Sequence, residues 1–195
     1  SNRLINLVEN MLSVTKINST KENLIYKETD IAPIINTVVS IVKNQYPNKN
    51  YKTDINPKTP TILVDRDKFQ QVMMNLIENA AKYSFENTDI IISGGFSKNQ
   101  DFVSVKVSDT GVKIEQSDID KIFTKFSRID NPLTRKVQGS GLGLFITKNL
   151  VEKMDGSISL NSVPLADNSG MSNITFTLKM PVKTIEEQAR IKCNR

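Results

Sequence analysis

Apolar residues open the chain at spacings of three and four, Leu4, Leu7, Met11 and Val14, with Val8 and Leu12 widening the stripe. That period predicts an amphipathic helix in need of a partner; a short coiled-coil arm and a helix packed on its own domain both satisfy it. A seam beginning at the fourth residue reads as the end of a longer helix, with Ser1 and Asn2 foreign to it. After a polar stretch over 18–29, Ile31, Ile34, Ile35, Val38, Val39, Ile41 and Val42 predict a buried helix over 30–46, with Asp30 as N-cap, Pro33 in its first turns and Pro47 ending it. Residues 51–60 read as a polar, Pro-punctuated connection and 61–64 as a short strand. Asp65 then caps a second helix reaching about Tyr83, with Phe69, Val72, Met73, Leu76, Ile77 and Ala80 on its apolar face.

From there the period changes to two. Residues 90–93, and Val103, Val105 and Val107 alternating with Ser104, Lys106 and Ser108, predict two strands paired as an antiparallel hairpin. Residues 109–140 form a long polar loop holding one short amphipathic piece at 118–126, too long for a simple connector. Helical spacing returns over 141–154 through Leu144, Ile146, Leu150, Val151 and Met154, with Gly156 as the stop. A second hairpin, 157–162 with 173–180, precedes a charged tail over 183–195. Helices layered on a mostly antiparallel sheet predict an α+β, two-layer sandwich.

Composition narrows the chemistry chiefly by what it lacks. The 195 residues contain no histidine, which excludes a Ser-His-Asp triad, a histidine base, a histidine zinc ligand and a phospho-accepting histidine within this polypeptide. The single cysteine, Cys193, allows neither an intrachain disulfide nor a cysteine-rich metal site, which suits a reducing, cytoplasmic setting. No apolar run approaches the roughly 20 residues of a membrane helix. The net charge of +5 is spread along the chain without a basic run, so nucleic acid is not an expected partner.

Candidate chemistry sits at three places. At about 100° per residue, Asn75, Asn79, Lys82 and Tyr83 share one side of the second helix, where an amide can offer Mg²⁺ a hard oxygen and an ammonium can meet phosphate; a solvated helix face fits the same pattern. Asp109-Thr110-Gly111 follows directly on a strand, where a carboxylate can accept from an exocyclic amine and glycine lets a flat ring approach the backbone. Gly139-Ser140-Gly141-Leu142-Gly143-Leu144 opens a helix, and its exposed N–H groups favour phosphate. It is neither a Walker A loop nor a dinucleotide fingerprint.

Taken in order, the segment from Asn75 to Ser84, Asp109-Thr110-Gly111, the run from Phe123 to Arg128, and the run from Gly139 to Leu144 closely resemble the catalytic, ATP-binding domain of sensor histidine kinases, of the GHKL superfamily. The resemblance covers about 31–181. It implies the Bergerat ATP-binding sandwich shared with gyrase-type ATPases and heat-shock chaperones. It divides the chain into the end of the second dimerisation and phospho-acceptor helix at 1–18, the catalytic domain at 19–182 and the tail at 183–195.

By resemblance, Asn79 holds Mg²⁺ with Asn75 lining the same site, and Lys82 and Tyr83 approach the phosphates and nucleotide. Asp109, supported by Gly111, accepts from the adenine amine, and Thr175 reaches that edge through water. Phe123 and Phe126 anchor a lid, Arg128 approaches the terminal phosphate, and Gly139, Gly141, Leu142 and Gly143 surround the phosphates. The implied cofactors are ATP and Mg²⁺. The implied partners are a phospho-acceptor histidine domain and a response-regulator receiver domain, with a homodimeric parent anchored at a membrane.

Related ATPases activate water with a carboxylate where this chain has Asn75, and an amide is no base, so transfer to histidine is favoured over hydrolysis. Glu78 is a nearby carboxylate that can either assist proton removal or simply face solvent. The missing histidine implies an acceptor upstream of Ser1, so that this chain binds ATP without phosphorylating itself. Lys113 replaces a second glycine expected after the Asp-x-Gly box; it either stiffens the lid or reaches a phosphate. The alternative readings are a degenerate nucleotide-binding or docking module and a hydrolysing ATPase.

Overall fold

A computed structural model describes residues 24–97, 101–127, 139–166 and 170–182. The expected N-terminal helix, Arg128 and the charged tail lie outside the described residues. In chain order the elements are β1 (Tyr26–Thr29), α1 (Ile31–Gln45), β2 (Asn50–Ile55), β3 (Ile62–Asp65), α2 (Arg66–Tyr83), β4 (Asp89–Phe96), β5 (Phe102–Val112), α3 (Gln116–Ile119), a 3-10 turn (Lys121–Phe123), α4 (Gly143–Lys153), β6 (Ser157–Pro164) and β7 (Met171–Pro181). This is the expected α+β architecture, a five-stranded sheet with helices packed on it, plus a separate antiparallel pair of β1 and β3.

The sheet order is β2-β4-β5-β7-β6. The two predicted hairpins, β4–β5 and β6–β7, are joined through a long antiparallel ladder between β5 and β7, running from Phe102 opposite Pro181 to Val112 opposite Met171. Alternation decides which side chains enter the core. Val103, Val105 and Val107 of β5 and Ile174, Phe176, Leu178 and Met180 of β7 are buried on one face, while Lys106 and Lys179 are exposed. Against that face lie α1, through Ile31, Ile34, Ile35, Val38 and Val42, and α2, through Phe69, Val72, Met73, Leu76, Ile77, Ala80 and Ala81. Each large side chain so buried contributes about 1.5–3 kcal/mol of transfer free energy.

Two strands depart from the expectation of polar connections. β1 has one buried residue, Thr29, and β2 alternates only Tyr51 and Ile55 toward partial burial. β2 pairs parallel with β4 at the sheet edge, where polar side chains cost little. β5 also continues beyond its predicted end, so Asp109 and Gly111 sit within the ladder rather than in a loop after it. Gly156 does not stop α4 through its own backbone. Asp155 takes the positive φ of 60°, and Gly156 instead admits β7, since a Cβ there would meet Met180 Sδ at 2.6 Å and Lys179 O at 2.8 Å.

The helix caps agree with the sequence. Asp30 accepts from the Ala32 N–H at 3.0 Å. Asp65 accepts through Oδ1 from the Asp67 and Lys68 N–H groups at 3.1 and 3.2 Å, and through Oδ2 from the Ile25 N–H at 2.9 Å, tying the approach to β1 to the start of α2. Asp65→Ala is expected to cost about 1–2 kcal/mol of stability, read as a lower midpoint in chemical denaturation with an unchanged slope.

Candidate functional site

α2 buries most of its surface but leaves Asn75, Glu78, Asn79, Lys82 and Tyr83 half-buried along one stripe. Asn75 Nδ2 donates to Gly143 O and Thr147 Oγ1, both at 3.3 Å, which ties the stripe to the first turns of α4. Lys82 is paired with Glu78 at 2.7 Å. Burial lowers the Lys82 pKa, yet the hydrogen bond and charge of Glu78, with Tyr46 and Tyr83, outweigh it and leave the ammonium above its usual range. Lys82 is therefore held charged by Glu78. Asn79 has no side-chain partner among the described residues, which leaves its amide oxygen uncommitted.

The N-terminus of α4 faces this stripe. Leu142, in the N-cap position, supplies no side-chain cap, so the first N–H groups of the helix are open to an anion. The glycines are placed by contact rather than by sequence habit. Gly141 has φ of 70°, and a Cβ there would lie 2.7 Å from the Phe126 carbonyl carbon. A Cβ on Gly139 would lie 3.7 Å from the Tyr83 hydroxyl, and one on Gly143 would lie 3.9 Å from Asn75 Cγ. Leu142 itself is buried and anchors the loop in the core.

Asp109 points inward from β5, 6% exposed, and its Oδ1 has no hydrogen-bond partner among the described residues. A buried carboxylate oxygen left bare carries a desolvation penalty that a donor ligand removes. Burial pushes the Asp109 pKa up to about 7 against the opposing field of Lys49. Gly111 is required by close packing, for a Cβ would sit 3.0 Å from Asp109 Oδ1 and 3.1 Å from Tyr83 O. An unpartnered acceptor beside bare backbone suits a flat base with an exocyclic amine.

Thr175 is not part of this edge. It pairs across the ladder with Ser108, their hydroxyls 3.0 Å apart, on the sheet face opposite Asp109. The parity of β7 instead turns Ser172 inward, opposite Gly111, fully buried and with its Oγ unpartnered. The sequence missed Ser172; counting by twos from the buried Phe176 would have found it. Phe123 is buried, edge-on to Phe176 at 6.4 Å with Lys148 Nζ 5.8 Å from its centroid. Phe126 is exposed with φ of 60°. Lys113 has no positive φ, and its amine pairs with Glu115 at 2.9 Å on the surface, so the replaced glycine brings no backbone strain.

The comparisons with known proteins fall on these same elements. Residues 64–183 match the family model for histidine kinase-, DNA gyrase B-, and HSP90-like ATPases. The chain belongs to this family. It is 32% identical over 161 residues to the signal transduction histidine-protein kinase ArlS of Staphylococcus haemolyticus, covering 83% of this chain and 35% of that protein. It is 30% identical over 188 residues to the sensor histidine kinase WalK of Bacillus subtilis, covering 95% of this chain and 30% of that one. The fold matches full-length ShkA in complex with AMPPNP with a TM-score of 0.79 at 22% identity, over 93% of this chain and 36% of that one. The chain thus spans about a third of the curated relatives it matches. Its fold is the ATP-binding catalytic domain of the sensor-kinase type, and ATP binding comes with the family. Among the described residues, no helix is long and apolar enough to cross a membrane, and no group of three or more His, Cys, Asp or Glu side chains could hold a metal.

The titration of Asp109 sets a pH dependence. The ionised carboxylate is the stronger acceptor, so if Asp109 receives an adenine amine, nucleotide affinity is expected to fall as pH drops through about 7, a slope absent in Asp109→Asn. Stability runs the other way. A raised carboxyl pKa costs the ligand-free fold nothing below the unfolded pKa near 4 and its full penalty above about 7, so Asp109→Asn should raise the melting temperature at pH 8 and not at pH 4.

Proposed function

We propose that this domain binds ATP with Mg²⁺ and presents the terminal phosphoryl group to a histidine imidazole on a phospho-acceptor domain, from which it passes to a response-regulator receiver domain. The observation that carries the reading is the bare, buried Asp109 Oδ1 beside Gly111. Supporting it are the contacts that run from there along α2 to α4: Gly111 packs against Tyr83 O, Gly139 lies near the Tyr83 hydroxyl, and Asn75 donates to Gly143 O.

In this reading Asp109 accepts from the adenine amine, Gly111 lets the ring lie against the backbone, and Ser172 adds a buried hydroxyl on the same edge. The open N–H groups of α4 and the glycines around Gly141 receive the phosphates, with Tyr83 beside Gly139. Asn79 offers the uncommitted oxygen suited to Mg²⁺, an ion that shares few protein ligands with phosphate oxygens. When bound, ATP supplies the phosphoryl group and Mg²⁺ offsets its charge.

Asn75 serves chiefly to fix α2 against α4, because its amide already spans them. It cannot act as a base toward water, which supports transfer over hydrolysis. Lys82 carries positive charge toward the phosphates, and Glu78 keeps it protonated and oriented. Phosphoryl transfer asks mainly for alignment and charge neutralisation, so a chain without a nucleophile of its own is sufficient on this side of the reaction. The reading extends to a homodimeric, membrane-anchored parent in which this domain is cytoplasmic.

Incubating the chain with labelled ATP, Mg²⁺ and a separately prepared phospho-acceptor domain should label the acceptor. Tight ATP binding without label would instead indicate a binding module, and steady phosphate release without acceptor a hydrolase. Asn79→Ala is expected to lower Mg²⁺-dependent nucleotide affinity by about tenfold or more while leaving the circular dichroism spectrum intact.

A further inference from the structure

We propose that Lys49 is a positioning residue for adenine recognition, its ammonium clamping the chain that leaves α2 against the end of β5 and so setting the edge that Asp109 and Gly111 present to the base. The inference deepens the ATP-binding reading and rests on it.

Lys49 lies between α1 and β2, in a stretch where a lone lysine carries no signal in the sequence. Its Nζ donates to Ser84 O at 2.6 Å and is 3.4 Å from Phe85 O. Ser84 is the C-cap of α2, so the ammonium sits at the negative end of the helix dipole. The same two residues complete β5 where β4 stops. The β4–β5 pairing ends at Ile91 opposite Ser108, and beyond it Ser84 bridges Gly111 while the Phe85 N–H donates to Thr110 O at 2.9 Å. The carbonyl of Tyr83, one residue earlier, is what closes on Gly111 at 3.1 Å from a would-be Cβ. One side chain from outside the groove therefore fixes the backbone that flanks the base slot.

Lys49 also acts through its charge. Its field opposes the upward push of burial on the Asp109 carboxyl. Among the described residues it is the charge that does so. The exit of α2 presents the Tyr83 phenol and the Ser84 hydroxyl, and β7 presents Ile174 and Ser172; Lys49 is the charge that acts on the Asp109 carboxyl. Removing the ammonium should both loosen the edge and leave more of Asp109 protonated, hence a weaker acceptor with an O–H set against the amine.

The test is ADP affinity by calorimetry across about pH 6.5–9 for this chain and for Lys49→Met, Lys49→Gln and Lys49→Arg, with thermal melts to verify folding. Lys49→Met and Lys49→Gln are expected to bind about tenfold more weakly near neutral pH, with the gap narrowing toward pH 9 as Asp109 ionises, and Lys49→Arg to stay near the unsubstituted chain. Lys49→Gln keeps a hydrogen-bond donor, so it remains informative where Lys49→Met does not fold. Unchanged affinity in the folded neutral variants, or an equal loss at every pH that Lys49→Arg does not rescue, would overturn the inference alone. No ADP binding by the unsubstituted, folded chain would overturn the ATP reading and this inference together.

Discussion

The ladder between β5 and β7 is the constraint on which the rest of the groove depends. Its two strands are paired over their full length, and side chains alternate strictly across it, so the choice of which face meets the helices fixes every residue at once. With Val103, Val105 and Val107 committed to the core, Asp109 must follow them inward. The carboxylate is thus carried into a poorly solvated place by the same register that builds the hydrophobic layer. A one-residue slip would return it to water and put Ser108 in its place.

That placement has an energetic consequence that the fold carries without a ligand. A bare buried acceptor and a raised carboxyl pKa oppose stability, as does the unpartnered hydroxyl of Ser172 opposite Gly111. The apolar packing of α1 and α2 on the sheet outweighs these local costs. Such a conflict between local polarity and global burial is expected where binding, rather than folding, has set the side chain. The open start of α4 and the uncommitted Asn79 belong to the same pattern, polar groups held in position without a side-chain partner among the described residues.

Around the groove, the residues that hold others in place are as informative as those that face it. Asn75 spans α2 and α4, Glu78 keeps Lys82 charged, and Lys49 grips the exit of α2. Phe123 and Leu142 are sunk in the core at the two ends of the glycine-bearing segment. Phe126, exposed and left-handed in its backbone, lies against Gly141.

Periodicity in the sequence determined α1, α2 and α4, both hairpins and the caps at Asp30 and Asp65, because each rests on local geometry that a helix or strand imposes on its own residues. The ordered boxes likewise marked the stripe on α2, Asp109 with Gly111, and the glycine-rich entry to α4. What the sequence left undetermined required partners distant along the chain. β2 is a strand only because β4 lies beside it, and β1 only because of β3. Thr175 and Ser172 trade places according to which face of β7 the register buries. Lys49 acquires a role only when the end of α2 folds back to within reach of its amine. Local pattern specifies elements, but the pairing of strands and the return of the chain decide which polar atoms share a pocket.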